Sequence, residues 1–204
     1  MNIIPTQEET IDLFMRTGGF RKGHFEFPDG RHGIEYLQVA LTMRYYESAK
    51  ILSVGLSRLL RADSEIRAQI GELSIVAPAT GGLPVAYGVC EALRARQVYW
   101  AERENEKEPL HFRQFLEVKP GEKVVLVDDI LRTGRRLTEL KNLVERLGAE
   151  VVGVAVIIHQ PAPNARTFGP IPFFALAKLD HIEAADPVSC PQCARGVPLE
   201  KIRN

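Results

Sequence analysis

Cysteine is scarce, with three in 204 residues. That excludes a disulfide framework, which needs a dense and even set. Long apolar runs are missing as well. No stretch approaches the roughly 20 residues that span a bilayer, so no membrane partner is expected. The opening MNIIPTQEETIDLF has no basic segment leading into an apolar one, so no secretory signal is expected and the cytoplasm is the expected location. Neither sign of charge is in excess: Lys+Arg and Asp+Glu both number 26, for a formal net charge of zero. A generic polyanion-binding surface is therefore not indicated, although a local basic pocket is still allowed.

What is present suits a packed domain. The chain is 45% hydrophobic and 25% charged, enough to bury a full core. A first helix is expected over 5–17, where Pro5 and Thr6 precede acidic residues and Ile11, Leu13 and Phe14. In GHFEFPDGRHGIEYLQVAL (23–41), Phe25 and Phe27 alternate with polar residues before the turn signal Pro28-Asp29-Gly30, which predicts a hairpin acting as an accessory element or hood. From Tyr46 to Arg61 a helix is expected, with Ile51, Leu52, Leu56, Leu59 and Leu60 on its apolar face.

Strands and helices then alternate. Strands are expected at 73–79, 98–101, 123–127, 151–158 and 173–179, with helices at 83–95 and 134–147. Continuously apolar strands separated by helices predict an α/β fold, a parallel sheet covered on both faces. The segment ERENEKEPLHFRQFL (102–116) is too polar for a core and reads as an exposed mobile loop or an edge hairpin. The tail, 186–204, reads as irregular. One domain over 1–204 is expected: a hood of about 1–45 plus the C-terminal segment, and a core of about 46–180.

The segment VVLVDDILRTGRRL (124–137) carries the chemistry. In open parallel sheets, ligands bind beyond the carboxyl ends of the strands. Asp128 and Asp129 stand at such an end, suited to the hydroxyls of a ribose or to a hydrated Mg²⁺. Thr133 and Gly134 open a helix, whose N-terminal amides suit a phosphate. Arg132, Arg135 and Arg136 add positive charge for the same anion. Carboxylates for a sugar, beside amides and arginines for an anion, amount to a sugar-phosphate site.

This segment resembles the phosphoribosyl-pyrophosphate (PRPP) signature of type I phosphoribosyltransferases. In that family the paired acids bind the ribose hydroxyls, and the following loop, commonly Thr-x-Gly-Thr, binds the 5′-phosphate. Here the loop reads Arg132, Thr133, Gly134, Arg135, with the Thr-Gly core kept and unusual flanking arginines. Four further segments resemble orotate phosphoribosyltransferases in order and spacing. GHFEFPDGRHGIEY (23–36) is similar to their hood. APATGGLPVAYGVCEAL (77–93) is similar to the pyrophosphate loop of the branch with Gly-Gly in place of Lys-Gly. Residues 99–129 are similar to the catalytic loop and the lead-in to the signature, and CPQCARGVPLEKI to a tail seen in that branch.

The resemblance implies the type I phosphoribosyltransferase fold, a parallel twisted sheet with helices on both faces, a small N-terminal hood and a flexible catalytic loop. It implies transfer of phosphoribosyl from PRPP to a nucleobase, orotate first, in pyrimidine synthesis. Mg²⁺ is the implied cofactor, through Asp128 and Asp129 by way of water, and a homodimer the implied assembly. Ala79, Thr80, Gly81 and Gly82 would take the pyrophosphate. Arg103, Lys107, His111 and Arg113 would close over it, Arg103 and Lys107 in catalytic roles beside Asp128 and Asp129. Tyr36, Leu37, Arg31 and Gln160 would meet the base.

Two family positions depart from the pattern. The hood lysine and the arginine after the next strand, which help bind orotate's carboxylate in relatives, align with Pro28 and Gln160. Arg31, His32 and His159 are candidate substitutes. A phosphoribosyltransferase for another base is thus a second reading, and a PRPP- or nucleotide-binding regulator on the same fold a third. The third would call for a DNA-binding helix pair or a basic face; neither is found, and nucleic acid is not an expected partner. Cys190 and Cys193 have the spacing of half a zinc site. With no second Cys-x-x-Cys, four sulfur ligands would need a second chain; His181 lies near in sequence, and a reduced structural pair is the simpler reading.

Overall fold

The computed structural model describes residues 4–105 and 107–203. Met1–Ile3 of the expected hood, Glu106 of the charged loop and Asn204 of the tail lie outside the described residues. Helix α1 (Gln7–Thr17) starts at a capping box: Thr6 Oγ1 accepts the Glu9 N–H at 3.1 Å, and Glu9 Oε2 accepts the Thr6 N–H at 2.8 Å. The hairpin follows as β1 (Phe20–Glu26) and β2 (His32–Leu37), then the short α2 (Val39–Met43) and the long α3 (Tyr46–Ala62). After α4 (Ser64–Ala68) come β3 (Ser74–Pro78), α5 (Gly82–Leu93), β4 (Gln97–Ala101), β5 (Lys123–Leu131), α6 (Arg135–Arg146), β6 (Glu150–His159) and β7 (Phe173–Lys178). The tail adds α7 (Pro191–Ala194) and β8 (Glu200–Lys201).

The core sheet is five-stranded, ordered β4-β3-β5-β6-β7, and every pairing in it is parallel. The middles of its strands are apolar because both faces are covered. Val125 and Val127 of β5 pack with Leu52, Leu56 and Val89 of α3 and α5. Their neighbours Val124 and Leu126 pack on the other face with Leu137, Leu140 and Val144 of α6. Truncating one of these fully buried leucines to alanine costs about 2–5 kcal/mol. Ile51 departs from expectation. It sits one residue off the α3 stripe and is 45% exposed.

The strand order reverses between β3 and β5. From β3 the chain crosses to β4 on one side, and β5 to β7 continue on the other. The carboxyl ends of β3 and β5 therefore flank a topological switch point, where the diverging connections leave a crevice. A second sheet, ordered β2-β1-β8, makes the hood. Its third strand corrects the reading of the tail as irregular: β8 pairs in parallel with Phe25 and Glu26 of β1.

Candidate active site

The two loops at the switch point meet. β3 ends at Pro78, Ala79 N–H donates to Ala101 O at 2.8 Å, and Ala79–Gly82 turns into α5; the Ala79–Thr80 peptide is cis. This loop lies against the acids of β5. A Cβ on Gly81 would stand 2.7 Å from Asp129 Oδ2, and one on Gly82 would stand 3.2 Å from Asp128 Oδ1. The glycines are thus what lets backbone and carboxylates share the crevice.

Asp128 is buried, with 2% exposure. Both of its oxygens accept from Arg136 Nη2, at 3.0 and 3.1 Å, and Oδ1 also accepts the Asp129 N–H at 2.9 Å. Burial pushes the Asp128 carboxyl well above the usual aspartate range, the neighbouring Asp129 charge adds to this, and Arg136 opposes it. Asp129 is half-buried, and its Oδ1 accepts the Ile130 N–H at 2.7 Å.

Thr133 and Gly134 then form the turn into α6. Gly134 has φ +70°, and a Cβ there would stand 2.9 Å from Arg166 O, so both conformation and space call for glycine. Arg135 N–H donates to Thr133 Oγ1 at 3.3 Å. The first-turn amides of a helix have no acceptor within the helix, and such amides suit an anion. Asp128, Arg132–Leu137 and their neighbours line a cavity of about 150 Å³ here.

A larger cavity of about 310 Å³ lies between hood and core. Leu37, Arg31 and Gln160 line it, together with Arg132, Phe27 and the segment His181–Ala184. Tyr36 is not among the lining residues: its ring packs on Phe25 at 5.8 Å and its hydroxyl donates to Gln38 Oε1 at 3.1 Å. Gln160 Nε2 donates to Asp180 O at 3.2 Å. Arg31 is held by Asp29 at 2.8 Å. Arg132 lines both cavities. Desolvation in the cleft lowers it from the ordinary arginine value, Asp129 and Tyr36 offset part of this, and its side chain still reaches solvent. Of the substitutes considered for the base, His32 is buried in the hood sheet, and the ring of His159 packs edge-on against Phe173 at 4.8 Å.

The charged loop folds as an edge hairpin resting on α6. Glu102 and His111 exchange backbone hydrogen bonds of 2.9 Å. Glu139 of α6 accepts the Leu110 N–H at 2.6 Å and pairs with Arg103 at 2.7 Å. Arg113 pairs with Glu102, with Nη2 to Oε2 at 3.1 Å. His111 is exposed, as is Lys107, whose N–H donates to Asn105 Oδ1 at 3.0 Å.

Comparison with known proteins places this geometry. A family model described as "Phosphoribosyl transferase domain" matches residues 55–191. An orotate phosphoribosyltransferase of Carboxydothermus hydrogenoformans is 36% identical over 189 residues, 93% of each chain. The chain belongs to the phosphoribosyltransferase family. Among solved structures of this fold, the orotate phosphoribosyltransferase of Aeropyrum pernix superposes with a TM-score of 0.64 at 17% identity, over 82% of this chain and 92% of that one. An adenine phosphoribosyltransferase of Thermoanaerobacter pseudethanolicus reaches 0.58 at 17%, over 72% and 89%. The phosphoribosyltransferase scaffold therefore does not by itself distinguish the base.

Three features of the site escape sequence reading. Arg136 was counted among the phosphate cations, yet it pairs with Asp128, eight residues away across a turn. Glu139 anchors the loop, and the helix periodicity marks it only as a surface position. The segment His181–Ala184 lines the larger cavity with no motif to announce it.

Proposed function

We propose that the chain transfers phosphoribosyl from PRPP to orotate, giving orotidine 5′-monophosphate and pyrophosphate. The observation that carries this is the meeting of Asp128–Asp129, Gly81–Gly82 and the α6 N-terminus at one switch point, in a chain similar over 93% of its length to orotate phosphoribosyltransferases. In this reading a base nitrogen attacks C1 of the ribose as the C1–oxygen bond to pyrophosphate breaks.

The chain's own groups position and neutralise. Asp129 accepts from the ribose hydroxyls, while Arg136 holds Asp128 in place. Thr133, Gly134 and the first amides of α6 take the 5′-phosphate. The amides of Ala79–Gly82 take the pyrophosphate. Arg103, Lys107, His111 and Arg113 come over it when the loop leaves α6, and closure excludes water from a carbocation-like transition state.

Mg²⁺ suits this donor set. Hard carboxylate oxygens are offered, and most are already engaged by Arg136 and backbone N–H groups, which favours contact through water. When bound, it neutralises charge on the leaving group. We also take the protein to be a cytoplasmic homodimer. Among the described residues no helix is long and apolar enough to cross a membrane, and Tyr46 and Tyr87 on α3 and α5 are 73% and 56% exposed.

The base would lie in the larger cavity against Leu37, with Arg31 and Gln160 on its walls. There Arg132 takes over the carboxylate that Pro28 and Gln160 cannot neutralise. The test is a PRPP-dependent assay with Mg²⁺ across orotate, uracil and purines. Orotate turnover is expected, and Arg132→Ala should lower kcat/KM for orotate about 10- to 100-fold, as loss of a charge-assisted contact does. Turnover of uracil or a purine alone would replace the acceptor. PRPP binding with no turnover of any base would favour the regulator.

A further inference from the structure

The hood holds a second cluster built from other residues. His24 comes from β1 and His32 from β2. Cys190 and Cys193 come from the tail, at the cap and inside the single turn of α7. One ligand-capable atom from each lies within 4.8 Å of the others. His24 Nε2 is 3.1 Å from His32 Nδ1, 3.4 Å from Cys190 Sγ and 3.7 Å from Cys193 Sγ; His32 Nδ1 is 3.3 Å from Cys193 Sγ. Ordinary zinc bond lengths at tetrahedral angles give edges of about 3.3 Å between nitrogens, about 3.5 Å from nitrogen to sulfur and about 3.8 Å between sulfurs. The separations found lie close to those edges.

The histidine backing agrees. His24 Nδ1 lies 2.8 Å from Val197 O. A carbonyl only accepts, so Nδ1 carries the proton and Nε2 presents its lone pair to the cluster. Metal-bound histidines are held in this way. Hydrogen bonding alone accounts for the arrangement less well. One lone pair on His24 Nε2 would have to serve His32, Cys190 and Cys193 together. His24, His32 and Cys190 are buried, at 3%, 6% and 4% exposure, away from water that would relieve them. The strand geometry also serves the cluster. The β1–β2 register slips between Lys22 and Phe25, an irregularity of the kind that re-aims a side chain, and His24 lies within it.

We propose that His24, His32, Cys190 and Cys193 bind one Zn²⁺, a structural site that fastens the C-terminal tail to the hood. Two thiolates and two imidazoles select zinc over hard cations, and four protein ligands leave no open position for catalysis. The fastened segment is short and otherwise weakly held. Beyond the cysteines it adds β8 to β1, with a surface ion pair of 2.6 Å between Arg21 and Glu200. A two-stranded hairpin is marginal on its own. The metal and the third strand together make the hood a unit that can wall the larger cavity, whose lining includes Phe27, Gly33 and Ile34 of this hairpin.

The test uses the full chain without a histidine tag, purified under reducing conditions with zinc supplied. Elemental analysis should find about one zinc per chain, and the Cys190→Ser/Cys193→Ser variant should lose it. Stripping the wild type with a chelator should lower Tm by about 5–10 °C, restored by Zn²⁺. Co²⁺ added to the stripped protein should give the intense visible bands of a tetrahedral site with sulfur-to-metal charge transfer. This last readout stands even if the variant fails to fold. Reduced wild type that takes up neither Zn²⁺ nor Co²⁺ would overturn the proposal, and so would an isolated Cys190–Cys193 disulfide that binds no metal after reduction. None of these readouts depends on phosphoribosyl transfer.

Discussion

Asp128 stands in a crevice that disfavours its charge. Burial and the adjoining Asp129 charge raise its carboxyl, and Arg136 and the Asp129 N–H oppose them without overcoming them. An acid whose folded value lies above the unfolded one contributes stability that is complete below the ordinary aspartate range and is lost as pH rises through the folded value. Asp128→Asn keeps an oxygen for Arg136 and removes the ionisation. It should therefore raise Tm at neutral pH by about 2–4 °C, with the gain vanishing in acid, while phosphoribosyl transfer falls. Thermal melts of both proteins across pH check this, and a gain that does not depend on pH would sink it. That Asp128 and Asp129 stand towards the carboxyl end of a buried strand was legible from two acids following four apolar residues. That one is buried and paired was not, because the arginine it meets lies beyond a turn whose path the sequence does not specify. Arg132 lines the cavity beside the turn it belongs to, and its place on the larger cavity as well needs the hood in position.

Elements were legible wherever a local pattern decides them. Apolar runs give β3, β5, β6 and β7, and the spacing of Leu137, Leu140 and Val144 gives α6. Short pieces held by long-range contacts were not. α7 and β8 exist because the tail lies on β1, which no periodicity announces. The charged loop is an intermediate case, since its polarity places it at the surface but not on α6. Burial pushes Glu139 up, but the Leu110 N–H and Arg103 outweigh it and hold it below the usual glutamate range. This contact is present at neutral pH and is lost as pH falls through that depressed value. Glu139→Gln should loosen the loop at neutral pH. Amide exchange at Leu110 should speed up by about 10- to 100-fold, the worth of hydrogen bonds to a charged group. Hydrogen-exchange mass spectrometry over 102–116 reads this directly, and unchanged protection would mean that Glu139 does not hold the loop down.

At the scale of the whole molecule, the two sheets rest on different foundations. The five-stranded core draws on two apolar layers, one on each face. The hood takes its third strand from the C-terminal tail. A chain ended at residue 186 should keep the core and its cooperative unfolding, while amide exchange in β1 and β2 approaches that of an open hairpin. Equal protection in the full and shortened chains would show that the hairpin stands without the tail. The reversal of strand order between β3 and β5 has a consequence for descent. In the proposed reading the grip on the sugar donor lies in the core crevice, and much of the wall facing the acceptor lies in the hood. A lineage can therefore rewrite its choice of nucleobase in one sheet while inheriting the donor chemistry intact in the other.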